Sequence, residues 1–260
     1  MKVRRSLSLL VIGSFLFVSQ SFAQTGGKDT KVMIRAVARD AKVIGEHVGG
    51  AHITVRDVST GKVLAEGMQK AGTGDTDLIM KKPRVRGGTV YGTADASGYL
   101  AVLALDKPTV VEISAEGPMG SPQATQRAST TMLLVPGEDV MGEGILLELH
   151  GFIVKTLAPQ TDGQAKVGSP FEVKATVTMM CGCPIEPGGI WDANKIHVVA
   201  RLVSEGKVET EVPMQYAGVV NTFKGDVPVT SPGQIELQVL ASDAENSNFG
   251  VTKQTLTIVP

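Results

Sequence analysis

Apolar residues alternate with polar ones along most of this chain, and a period of two places successive side chains on opposite faces of a strand. Beyond residue 23, no window of about 12 residues keeps apolar side chains at i, i+3, i+4 and i+7 free of Gly or Pro. Segments 31–37, 51–58, 62–68, 99–105, 109–116, 128–135 and 144–149 read as strands, with Ser59, Thr60 and Gly61 supplying a hairpin turn. A second series follows at 152–157, 170–180, 195–203, 207–216, 222–229, 234–241 and 250–259. Thirty glycines and 13 prolines suit short strands joined by tight turns. The expected class is all-β, with two consecutive β-sandwich domains.

Residues 1–23 have the order of an export signal. Lys2, Arg4 and Arg5 precede an apolar run over residues 7–18, and Ser21, Phe22 and Ala23 form a small-residue cleavage site. That run is too short to span a bilayer, and no later stretch reaches 18 apolar residues. The reading is a soluble exported chain, periplasmic or extracellular, without a transmembrane segment and without a cysteine near the cleavage site to carry a lipid. The signal holds three of the 25 Lys+Arg and none of the 26 Asp+Glu, so the processed chain carries about −4, which argues against nucleic acid as a partner. The partner class expected is another exported or cell-envelope protein.

Residues 50–55 (GAHITV), 59–62 (STGK) and 93–100 (TADASGYL) resemble, in that order, the strand, Thr-Gly turn and Asp-x-x-Gly-aromatic turn of transthyretin-like or carboxypeptidase-regulatory-like domains. The resemblance implies a transthyretin-like β-sandwich over 32–150, after a flexible segment 24–31, with a long Gly-rich and basic insertion over 69–92. It implies a fold and no activity. The second strand series, over 151–260, resembles an immunoglobulin-like sandwich, and its stretch from Thr222 (TFKGDVPVTSPGQIELQVLASD) resembles the closing hairpin of exported Ig-like modules, including the YtkA type. Such chains resemble uncharacterised exported bacterial proteins. The junction near Gly151 is short, which implies little independent swinging of the two domains.

Both cysteines and the single tryptophan fall within TMMCGCPIEPGGIWD. If the strand begun at Phe171 runs through Cys183, then Met179, Cys181 and Cys183 share one face. With His197 on the next strand they would form a soft set suited to Cu(I), or less well to Zn(II). The alternative is a Cys181–Cys183 disulfide, common for an even cysteine count in exported proteins. In an extended strand these Cα atoms would stand about 6.5–7 Å apart, at the limit for bridging, so a bend at Gly182 is needed. A bridge formed at that cost would be easily reduced. Free thiols are the third possibility.

The loop 185–192 is stiffened by proline and reversed by the glycine pair. Trp191 reads either as a lid over the core or as an exposed indole for a partner. In AGTGDTDLIMKKPRVRGG, residues 71–88, the cluster Lys81, Lys82, Arg84 and Arg86 reads as solvated charge or as a contact for an acidic partner. Asp75 and Asp77 alone are a weak calcium signal, and the loop lacks the Gly-Lys-Ser/Thr of a phosphate cradle. His47, His52, His150 and His197 have no metal spacing, and no nucleophile elbow, Cys-x-x-Cys or dinucleotide motif occurs. The function expected is a non-enzymatic binding or scaffold protein. Its rival is a periplasmic copper(I)-handling or thiol-redox protein.

Overall fold

A computed structural model of the chain describes residues 27–160 and 164–260. The export signal expected over residues 1–23, and residues 24–26, lie outside the described residues.

Seven strands build the first sandwich: β1 (Lys28–Ala38), β2 (Ala51–Asp57), β3 (Val63–Gln69), β4 (Tyr99–Leu105), β5 (Thr109–Gly117), β6 (Gln126–Leu134) and β7 (Val140–Leu149). They form a three-stranded sheet ordered β4-β1-β7 and a four-stranded sheet ordered β3-β2-β5-β6. Alternation decides which side chains face inward. On β2, Ala51, Ile53 and Val55 are fully buried, and on β5 so are Val111, Ile113 and Ala115. β1 departs from alternation because it is a central strand, covered from Ile34 to Ala38 on both faces, and it pairs in parallel with β7.

The second sandwich comprises β8 (Phe152–Ala158), β9 (Gln164–Lys166), β10 (Phe171–Met179), β11 (Ile185–Glu186), β12 (Trp191–Asp192), β13 (His197–Ser204), β14 (Lys207–Pro213), β15 (Gln215–Tyr216), β16 (Thr222–Val227), β17 (Gly233–Asp243) and β18 (Asn248–Val259). Its sheets are ordered β15-β16-β10-β8 and β14-β13-β17-β18-β9, with β11 and β12 as a separate short pair. Labelled along the chain, the main strands give the immunoglobulin arrangement, four on one sheet and the C–F–G set on the other. β9, β11 and β12 are too short to show a periodicity, which is why the sequence pattern does not announce them.

The segment 69–92, expected as an irregular insertion, is built around a small core of its own. A five-residue π-helical turn, Asp77–Lys81, buries Ile79, which packs with Val37, Val43, Val90 and Tyr91. Asp75 Oδ1, two residues before that turn, accepts from Leu78 N at 2.7 Å.

Gln69, fully buried at the end of β3, ties this part of the sandwich together. Its amide accepts from Ala36 N at 2.8 Å and donates to the carbonyls of Ala36 and Ile44, both at 2.9 Å. Truncation would leave these buried groups unpaired. Gln69→Ala is expected to lower stability by about 3 kcal/mol in urea unfolding. A loss under about 1 kcal/mol would show that the pin is dispensable.

Candidate functional site

Of the two conformations the sequence allowed for the cysteine-containing segment, the structure takes the bend at Gly182 rather than the extended strand. β10 ends at Met179, and the chain then turns: Gly182 N donates to Met179 O at 2.7 Å, and Gly182 takes φ 74°. A residue without Cβ adopts that conformation at little cost. The turn draws the Cα atoms of Cys181 and Cys183 to 5.3 Å and brings their sulfurs to 2.09 Å, within bonding distance. Met179, Met180, Cys181 and Cys183 are all buried, and the strand that would align them on one face stops at Met179.

Glycine at 182 serves a second purpose. A Cβ there would lie 2.4 Å from His47 Nε2 and 2.7 Å from Val48 Cγ1, both on the first sandwich. The turn therefore seats its backbone directly on the other domain.

Trp191 makes the next contact of this seam. It is 7% exposed, and its indole N–H donates to Asp40 O at 2.7 Å. The indole is occupied inside the chain rather than offered to a partner, as the exposed reading required. Asp192, beside it, accepts from Asn194 N, the Asn194 amide and Gly188 N, each at 3.0 Å. These donors, led by the Asn194 and Gly188 N–H groups, hold its carboxyl below the usual range. Asn248, fully buried, completes the seam by accepting from Gly151 N at 2.8 Å and donating to Arg39 O at 3.2 Å. Asp40 opposes Asp243 across it, and burial together with that neighbour raises the Asp40 carboxyl.

Four clefts border the seam; the most voluminous, about 440 Å³, is polar and lies over Asp40, Arg84, Tyr91 and Asn246, a second is lined by Asp40, Trp191 and Asp243, and the other two, a smaller and a larger, bear on the cysteines and on the outer sheet. The smaller, about 330 Å³, is lined by Cys183, Gly182, Ile190 and Trp191 on one side and by Lys42 and His47 on the other. His197, expected beside the sulfurs, lines the larger of these two, so His47 is the imidazole that shares a cleft with Cys183. Among the described residues, no three His, Cys, Asp or Glu side chains gather into a metal-binding group.

The larger cleft, about 390 Å³, runs between the short turn Pro122–Ala124 and the outer face of β13, β17 and β18. Strand register builds its wall. Val199 pairs with Leu240 and Leu240 with Val251, giving an apolar rung across three strands, and Phe249 adds the neighbouring corner. Phe249 is 57% exposed. His197 and the ion pair of Arg201 with Glu211 supply the polar margin.

The basic cluster is partly committed. Lys81 pairs with Asp77 at 2.7 Å, and Arg84 donates to Tyr91 Oη at 2.9 Å while lying over that ring. Lys82 and Arg86 are exposed. The larger cleft escaped the sequence reading because its residues lie on separate strands and belong to the ordinary alternation of each.

No family model matches the chain, and no curated protein matches it. Among solved structures, an engineered protein is 16% identical over 49% of this chain and 24% of its own, with a TM-score of 0.31. The fibronectin(III)-like modules of Clostridium thermocellum CbhA are 13% identical over 91% of this chain and 90% of theirs, with a TM-score of 0.28. Domains 4 and 5 of the S-layer protein SbsC are 7% identical over 90% of this chain and 100% of theirs, with a TM-score of 0.26. The chain thus spans about a quarter of the first of these proteins. At these scores the likenesses carry no argument, and the fold rests on the strand pairings themselves.

Trp191→Phe keeps an aromatic ring but removes the bond to Asp40 O and part of the buried indole volume, and it is expected to cost at least about 1–2 kcal/mol in chemical denaturation. No change would remove that bond from the account. Because the Asp192 carboxyl is lowered in the folded state, its stabilisation is present above the ordinary carboxylate range and is lost as pH falls through the lowered value. Asp192→Ala should therefore lower the Tm at neutral pH, with the difference closing on acidification. An equal difference at all pH values would contradict this.

Proposed function

We propose that this protein is an exported, non-enzymatic binding scaffold, in which a transthyretin-like sandwich and an Ig-like sandwich are joined rigidly and the larger cleft between them receives an apolar segment of a cell-envelope partner. The observation that carries this reading is the cleft wall in which the exposed Val251 and Phe249 and the half-buried Leu240 lie over the buried Val199, which presents apolar surface beside a small number of polar groups. The signal-like start of the sequence supports export, and the seven-strand first sandwich agrees with the transthyretin-like resemblance.

The test uses 1-anilinonaphthalene-8-sulfonate as an apolar probe on the native protein. Binding is expected, and Val251→Glu, at a partly exposed position, should weaken it about tenfold. A native protein that does not bind the dye, or a variant that binds it equally, would sink the proposal.

A second reading, thiol–disulfide exchange or Cu(I) capture after reduction, is favoured by one observation: Cys183 lines a cleft together with His47. Protein isolated from the periplasm should then show Cu(I) binding that appears on reduction and is lost in Cys183→Ser. Identical Cu(I) competition by wild type and variant would remove this reading.

A further inference from the structure

A sheet edge exposes unpaired N–H and C=O groups, and folded proteins guard such edges with charge, proline, bulges, short length or a covering element. The edge strands among the described residues follow this rule with one exception. β14 carries Lys207, Glu209 and Glu211 and ends in Pro213. β7 is broken by Gly142 and Gly144 at positive φ, with a register shift against β1. β8 is covered by the turn Pro122–Ala124, from which Gln123 donates to Val154 O at 3.3 Å. β9 and β15 have three and two residues. The uncharged β4 lies beside β3, and the Tyr99 hydroxyl crosses to Glu66 O at 2.8 Å.

β6 comes near β7 at the sandwich corner but has no proline, no bulge and no charge within its span beyond Arg127. It is nine residues long, pairs only with β5, and reads QRASTTMLL. Its single charge, Arg127, stands at one end and is paired with Glu112 at 3.8 Å. From Ala128 to Val135 the edge is uncharged, and Leu133 and Val135 are 56% and 42% exposed.

We propose that β6 is a homodimerisation edge: two copies pair antiparallel through β6, joining their four-stranded sheets into one continuous sheet across a two-fold axis near Thr130 and Thr131. Self-pairing is favoured because an antiparallel match brings no like charges together: with the axis at Thr131 each Arg127 stands opposite the neutral Val135 of the other copy, and the two Arg127 side chains lie at opposite ends. It also carries the exposed Leu133 and Val135 of one copy to the Gln126 end of the other, which borders the larger cleft. A contact about nine strand residues long spans about 30 Å and buries less than a standard interface of about 1,600 Å². The association is therefore expected at micromolar strength rather than nanomolar.

Sedimentation of the purified exported chain tests this. The weight-average mass should rise from monomer at about 1 μM toward dimer at about 100 μM. Thr131→Lys should hold the protein monomeric across that range, since it places like charges side by side at the axis. Within each copy the new lysine would face Glu112, its register partner on β5, so folding should be retained and is checked by thermal melting. Independently, Thr131→Cys should give a disulfide-linked dimer on mild oxidation, whereas Glu209→Cys on the guarded β14 edge should not. A monomer at every concentration without cross-linking at position 131, or a dimer indifferent to Thr131→Lys, overturns the proposal, and either result leaves the separate question of cleft binding untouched.

Discussion

The close approach of Gly182 to His47 and Val48 is the constraint on which the arrangement of this molecule depends. A Cβ at position 182 would lie 2.4 Å from Nε2 of the exposed His47 and 2.7 Å from Cγ1 of the buried Val48, so both side chains would have to shift to admit one, whereas glycine lets the turn sit against them undisturbed. With the turn seated, Trp191 reaches Asp40 O and Asn248 reaches Arg39 O. One buried cluster then runs from Val32 and Ile34 of the first sandwich through Phe152, Met180 and Trp191 into Val239 and Leu256 of the second. Apolar burial of this kind resembles the interior of a single domain more than the polar contact between two mobile ones.

The seam also determines what surface is available. It encloses the sulfur atoms and the indole, the residues whose types look most chemical in the sequence. It leaves open a cleft walled by Val199, Leu240, Val251 and Phe249, residues of an unremarkable kind. Recognition at such a cleft would come from shape and apolar area, with Arg201, Glu211 and His197 at the margin setting orientation. Rigid placement of the two domains matters to this reading, because the turn Pro122–Ala124 of the first sandwich and the strands of the second each supply one wall.

The alternation of β2, β5, β10 and β17 was legible in the sequence because burial on one face of a strand leaves a period of two in the residues themselves. β4, Tyr99–Leu105, coincides with its expected span for the same reason. The turn at Cys181–Cys183 was less legible. Local spacing allowed either an extended strand or a bend at Gly182, and the bend is the one adopted, with Gly182 seated against His47, far away along the chain. Gln69 reads as an ordinary polar residue at a strand end, and only the fold reveals its three buried bonds. The cleft was invisible because its wall is a rung across three strands, and register between strands is a property of pairing rather than of any one segment.

Differential scanning calorimetry of the intact, oxidised protein tests most directly whether the seam makes the two sandwiches one cooperative body. The account predicts a single transition whose calorimetric and van't Hoff enthalpies agree. Two resolved transitions, each with the enthalpy of an isolated sandwich, would contradict it.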